Sequence, residues 1–180
     1  MDESQNSVEL GLSAGFISVK STRTWRGIRR RRSGPFVIIN RGNGLALDNG
    51  VQEHNGAEPI MWRPHGFEPQ QWVFIRTPHW GEYVICSVGN KLALDARTTS
   101  DLSRTPCMWA RHAEPHQRWR FRRTEDGHGY TIASVLTGHV LDFPEGSGSR
   151  AVPHLYERHG DLRQQFLITS LTAGGFAEGG

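Results

Sequence analysis

The sequence predicts an all-β architecture built from three tandem units, and three observations carry that prediction. The first is composition: 21 glycines stand among Pro-, Asn- and Gly-rich clusters, and runs of apolar residues at helical spacing are hard to find. The second is a period. Shifting the chain by 47 residues, and by 47 again, brings six columns into identity without a gap. The third is that the apolar residues of each copy fall into runs of four or five, bounded by turn signals.

The identical columns are Ile38/Ile85/Ile132, Leu47/Leu94/Leu141, Asp48/Asp95/Asp142, Pro59/Pro106/Pro153, His65/His112/His159 and Gln70/Gln117/Gln164. Others agree in kind: Phe36/Tyr83/Tyr130, Met61/Met108/Leu155, Trp62/Trp109/Tyr156, Trp72/Trp119/Phe166 and Phe74/Phe121/Ile168. The copies run from Phe36 to about Ser170. In the first copy the expected strands are "FVIIN" (36–40), "LALD" (45–48), "PIMW" (59–62) and "QWVFI" (71–75), separated by "RGNG", "DNG" and "PHG". Four short strands cannot bury both their faces, so the three copies must share one core. Closing twelve such strands into a barrel also removes exposed edges. The predicted fold is a β-trefoil over residues 36–171. An N-terminal arm (1–35), flexible or loosely packed, precedes it, and a Gly-rich flexible tail (172–180) follows.

Charge is unevenly placed. Residues 1–35 hold seven Lys/Arg against three acids, whereas residues 36–171 hold fourteen of each sign. The basic character therefore belongs to the arm, and a nucleic-acid footprint over the whole body is not expected. "WRGIRRRRSG" (25–34) reads first as a solvated arm. Its sharper reading is a tether, through residues 20–32, to nucleic acid or an anionic membrane. "GFISV" (15–19) could add a strand that packs on the trefoil. Two cysteines, Cys86 and Cys107, make no disulfide framework, and Cys107 is expected to pack on an apolar strand. With no secretory signal and no apolar stretch long enough to span a bilayer, the expected location is cytoplasmic.

"QQW" (70–72), "QRW" (117–119) and "QQF" (164–166) resemble the Gln-x-Trp motif of ricin B-type lectin domains, and "GLALD…PIMW…QQW" follows that family's order. The resemblance covers roughly three quarters of the chain and occurs three times in register. It implies a β-trefoil whose function is non-catalytic carbohydrate binding at up to three shallow sites, one per lobe, with glycans as partners.

Each column can be weighed on its own chemistry. The aromatics Trp72, Trp119 and Phe166 vary in ring at a fixed apolar position, which fits core filling. Gln70, Gln117 and Gln164 read as buried amides that need backbone partners; the resemblance places them behind the sugar site. Trp62, Trp109 and Tyr156 end a strand at the mouth of a loop. There a ring could lie against a pyranose, or pack on its own loop. Asp48, Asp95 and Asp142 could accept two neighbouring sugar hydroxyls with charge-assisted strength. Each could equally bond the backbone of its own turn, as before Asn49-Gly50. His65, His112 and His159 could order the loop or donate to a ligand. "HAEPH" contains a proline and no helical pattern, so His112 and His116 are not expected on one helix face, and no metal site is expected.

The chain also departs from the family. Ile60, Cys107 and His154 stand where a Gln or Asn is common, and Pro69, His116 and Arg163 stand just before Gln-x-Trp. The second lobe (Asp95, Trp109, His112, His116) and the third (Asp142, Tyr156, His159, Arg163) therefore rank ahead of the first. Ala46, Ala93 and Val140 fill one side of the family's usual intralobe disulfides. No phosphate loop, nucleophile elbow or zinc-protease motif is present, so neither an enzyme nor a cofactor is expected. A protein-binding module acting through the divergent loops 49–58, 96–104 and 143–151 is the alternative.

Overall fold

The computed structural model describes residues 9–13, 16–20, 32–97 and 104–171. The tail 172–180 and most of the basic run lie outside these residues. Its elements are β1 (Glu9–Ser13), β2 (Phe16–Lys20), β3 (Arg32–Asn40), β4 (Ala46–Asp48), β5 (Ile60–Trp62), β6 (Trp72–Arg76), β7 (Glu82–Ser87), β8 (Ala93–Asp95), β9 (Cys107–Trp109), β10 (Trp119–Arg123), β11 (Tyr130–Ser134), β12 (Val140–Asp142), β13 (His154–Tyr156) and β14 (Phe166–Ser170).

Six strands close a barrel in the order β3-β6-β7-β10-β11-β14, with β14 returning to β3. The other six form three hairpins, β4–β5, β8–β9 and β12–β13, that cap one end. Both sets obey the 47-residue shift in register. Barrel contacts Phe36↔Trp72, Tyr83↔Trp119 and Tyr130↔Phe166 are equivalent. So are the hairpin pairs Leu47↔Met61, Leu94↔Met108 and Leu141↔Leu155. This is the β-trefoil expected from the repeat, with twelve strands in three lobes.

The core follows from strand alternation. Ile38, Ile85 and Ile132, the three leucines, Met61 and Met108, and Trp72 and Trp119 have no exposed surface, and Leu155 and Phe166 almost none. Trp72 and Trp119 each donate their indole N–H to Leu47 O and Leu94 O at 2.9 Å. Phe166 fills the same place without a donor. Phe36 stacks on Phe74, and Phe121 meets Phe74 tilted and Tyr83 edge-on, at centroid distances of 4.7–5.7 Å. Cys107 and Cys86 are both buried, and neither is in a disulfide. Burial pushes the Cys86 thiol up to about 11, against the pull of Arg111 and Arg32.

The loops that join the two strands of each cap are fastened to the neighbouring lobe. Met108 N donates to Ala57 O (2.7 Å), Leu155 N to Arg104 O (2.6 Å) and Met61 N to Ala151 O (2.9 Å), again at intervals of 47 residues. Divergent as their sequences are, these loops are pinned at their ends by backbone bonds.

Two boundaries differ from the sequence expectation. β3 begins at Arg32, because Arg32 and Ser33 pair with Ile75 and Phe74 ahead of a bulge. Within the arm, β1 and β2 form an antiparallel hairpin from Glu9↔Lys20 to Ser13↔Phe16, a separate two-stranded sheet.

Candidate functional site

The cap hairpins place the repeated aspartates and aromatics. In the first lobe Leu47 opposes Met61 and both point into the core. The flanking pairs Ala46↔Trp62 and Asp48↔Ile60 therefore lie on the opposite face. Asp48 and Trp62 are thus diagonal neighbours on one surface, within reach of a common ligand. Asp95 with Trp109, and Asp142 with Tyr156, repeat the arrangement. Opposite the aspartates stand Ile60, Cys107 and His154.

Beyond the aromatic, the chain passes the repeat histidine and turns through one 3-10 turn ending at the Gln. All three Gln side chains are fully buried. Gln117 Oε1 accepts from His112 N (2.8 Å) and Ala113 N (3.2 Å), and its Nε2 donates to Ala110 O (2.9 Å) and Asp95 Oδ2 (3.1 Å). Gln164 makes the same four contacts with His159 N, Gly160 N, Glu157 O and Asp142 Oδ2. Gln70 holds His65 N, Gly66 N and Arg63 O. One amide thus ties the loop down and, in the second and third lobes, also orients the carboxylate. The residue after each histidine has positive φ: Gly66 (71°), Ala113 (63°) and Gly160 (85°).

The turn reading holds for the first two aspartates. Asp48 Oδ1 accepts from Gly50 N (2.9 Å) and Asp95 Oδ1 from Arg97 N (2.7 Å), which are turn bonds. The other oxygen faces the repeat histidine: Asp48 Oδ2 lies 3.3 Å from His65 Nε2, Asp95 Oδ2 3.5 Å from His112 Nε2, and Asp142 Oδ2 2.7 Å from His159 Nε2. Each of these histidines accepts a backbone N–H at Nδ1, from Phe67 (3.1 Å), Glu114 (3.2 Å) and Asp161 (3.4 Å). A neutral ring that accepts at Nδ1 carries its proton on Nε2, so the proton points at the carboxylate. The aspartates are nearly buried, whereas the histidine side chains are about 30% exposed. Solvent, or a ligand, therefore meets imidazole and aromatic edges first and the carboxylate behind them.

His116 is brought to the same place. Its ring centroid lies 4.6 Å from that of His112, and its Nε2 lies 3.9 Å from Asp95 Oδ2. The two rings, not expected on one helix face but both assigned to this lobe, meet across the 3-10 turn Pro115–Gln117. Asp95, His112 and His116 offer ligand atoms within 4.8 Å of one another. The donor chemistry does not fit a metal. Coordination at His112 Nε2 would move its proton to Nδ1, against the Glu114 N–H already pointing there. Arg163, the third-lobe counterpart of His116, turns to Asp161 (3.2 Å) and Glu145 (3.5 Å).

The aromatics are unequal. Trp109 and Tyr156 are 42% and 49% exposed, whereas Trp62 is half-buried. The Arg150 guanidinium sits 5.2 Å over the Trp62 ring, and Arg104 sits 5.7 Å over Tyr156. Beside Trp109 the neighbouring lobe presents Gly56, which leaves the indole uncovered there.

The family model of the ricin-type beta-trefoil lectin domain matches residues 34–166. Among solved structures, the designed three-fold symmetric protein ThreeFoil aligns with a TM-score of 0.70 at 23% identity, covering 77% of this chain and all of the other. The C-half of an earthworm R-type lectin, solved with GalNAc, aligns at 0.61 and 24% identity, with the same coverage. A mosquitocidal holotoxin aligns at 0.72 and 15% identity, over 86% of this chain but only 19% of the toxin. No curated protein sequence matches the chain.

Proposed function

Because the chain belongs to the ricin-type β-trefoil lectin family, we propose that its second and third lobes bind sugar without catalysis. The observation that carries the reading is the shared outer face of each hairpin, where a fixed carboxylate, an imidazole N–H and an exposed ring converge. A pyranose offers an apolar C–H face to Trp109 or Tyr156. Its hydroxyls can donate to Asp95 or Asp142 and accept from the histidine. The second lobe is the better-prepared site: its Asp95–His112 contact is loose, His116 adds a donor, and Trp109 is uncovered. The first lobe retains Asp48, His65 and Gln70, but Pro69 replaces His116 and Arg150 lies on the ring.

A single site of this shallow type would bind at the ~mM level, about 4 kcal/mol. Two engaging one polysaccharide could gain about 10²–10⁴ in avidity. GalNAc, the sugar in the earthworm lectin complex, is the first ligand to test. Titration of GalNAc and related hexoses, followed by backbone chemical shifts, should perturb residues 109–117 and 156–164 in preference to 62–70. Asp95→Asn combined with Asp142→Asn should abolish the binding. Binding left untouched by that pair, or absent across a glycan array, would sink the reading.

A further inference from the structure

We infer that a second cleft, floored by Ile75 and walled by Trp80 and Arg111, binds an acidic sugar residue adjoining the one held by the second lobe; this rests on the second-lobe reading above. Trp80 is 91% exposed, on the connection between β6 and β7. The cleft beside it measures about 650 Å³, within the range of sites that hold small ligands.

The fold does not require this ring. Forty-seven residues on, the equivalent connection carries Glu125-Asp126-Gly127 in place of Pro78-His79-Trp80. It closes on itself, with Thr124 Oγ1 donating to Asp126 Oδ1 at 2.6 Å and Gly127 N to Thr124 O at 2.9 Å. Both connections are closed by the same bond, Thr77 N to Glu82 O and Thr124 N to Gly129 O, and the second does so without an aromatic ring, which leaves the exposed indole without a structural reason.

Charge selects the class of ligand. The lining contributes Arg76, His79 and Arg111 and no carboxylate. Of the acids near the lining in sequence, Glu82 is buried and bound by Arg118 (2.9 Å) and Arg120 (2.5 Å), and Glu114 is exposed but does not line the cleft. Arg111 is exposed and makes no ion pair among the described residues. A guanidinium beside an aromatic face fits a pyranose bearing a carboxylate or sulfate: the ring stacks and the fork takes the anion with two parallel hydrogen bonds. Continuity supplies the connection, since Arg111 lies between Trp109 and His112 in the second-lobe loop. A stacked base with its phosphate is the rival occupant. The saccharide is favoured because the cleft shares a loop with the sugar site, and residues 36–171 carry no net charge.

The test compares an oligogalacturonate with its methyl ester, and a heparin oligosaccharide with its desulfated form, by titration calorimetry on the full chain. Whichever anion fits, the acidic member should bind about tenfold more tightly than the neutral one. Arg111→Gln should erase that preference while leaving neutral binding intact, and Trp80→Ala should weaken the binding of both members. Both side chains are exposed, so an unchanged melting curve accompanies either variant. Equal affinity for acidic and neutral members, or a preference that survives Arg111→Gln, overturns the inference. Tighter binding of a single-stranded oligonucleotide, lost in Trp80→Ala, also overturns it. Neutral binding at the second lobe without an acid preference removes the cleft alone. No saccharide binding of any kind removes the second-lobe reading with it.

Discussion

The first and second lobes share a backbone, a core and a Gln-x-Trp motif, yet only one presents an open ring together with two imidazoles. In the first, Trp62 lies under Arg150, and the turn Glu68–Gln70 carries Pro69 where the second lobe has His116. In the second, Trp109 faces Gly56, and His116 joins His112 beside Asp95. The residues that keep water out of the barrel cannot vary independently, since each packs against its own symmetry mates. The residues on the outer face of the hairpins have no such neighbours. Symmetry in the barrel interior marks scaffold, and the aromatic and loop positions where it breaks down are those at which the lobes differ in what they expose.

Breaking the shared part should have the largest effect. Trp119→Ala removes a fully buried ring and should cost about 3–5 kcal/mol by chemical denaturation. Trp119→Phe, which copies the third lobe, should cost only about 1–2 kcal/mol, chiefly through the lost bond to Leu94 O. Equal costs would mean that the ring's volume is not what matters there. Next in size, Gln117→Leu strands two backbone N–H groups and takes a donor from Asp95, for a loss of about 2–4 kcal/mol. Gln70→Leu should cost less, because its Nε2 serves Arg63 O alone among the described residues.

A pH series separates the lobes in another way. Cys86 occupies the position held by Ile39 and Ala133 in the other copies. Its thiol is raised from 9.0 to about 11 on folding, so the folded state holds a proton that the unfolded state releases earlier. The associated stability is complete below pH 9 and is lost as pH climbs to about 11, by roughly 2–3 kcal/mol. Cys86→Ala should flatten that alkaline limb in urea melts taken from pH 8 to 11. The smallest effect concerns a backbone angle. Ala113 holds φ = 63° where the other lobes use glycine. Ala113→Gly should therefore stabilise by about 0.5–1 kcal/mol, against the usual direction of such a change. A destabilised variant would show that the second-lobe loop relies on the methyl group.

The leucine and Trp/Phe columns were legible as core because a trefoil interior admits only large apolar groups at those positions. Gln70, Gln117 and Gln164 were legible as buried amides for the same reason. For Asp48 and Asp95 the turn reading did not use up the carboxylate, since one oxygen takes the turn bond and the other faces a histidine. Other features left no side-chain signature. The fastening of Ala57, Arg104 and Ala151 to the next lobe uses backbone atoms, so divergent loop sequences concealed a regular contact. The meeting of His112 with His116 depends on a 3-10 turn to which a helical spacing test is blind. Trp80 lies outside the repeat's agreeing columns; its signal was the mismatch between "TPHWG" (77–81) and "TEDGH" (124–128).

The ring of strands is completed by β14 pairing along β3, from Phe166↔Asn40 to Ser170↔Phe36, and Met61 receives its cap bond from Ala151. The earliest part of the trefoil to be synthesised therefore waits for the last. A nascent chain holding one or two lobes leaves β3 with an open edge and its cap hairpin without a neighbour, both exposed to wrong partners. Assembly governed by such distant contacts is slow, and it makes the barrel all-or-none: cutting away the third lobe should unravel the first.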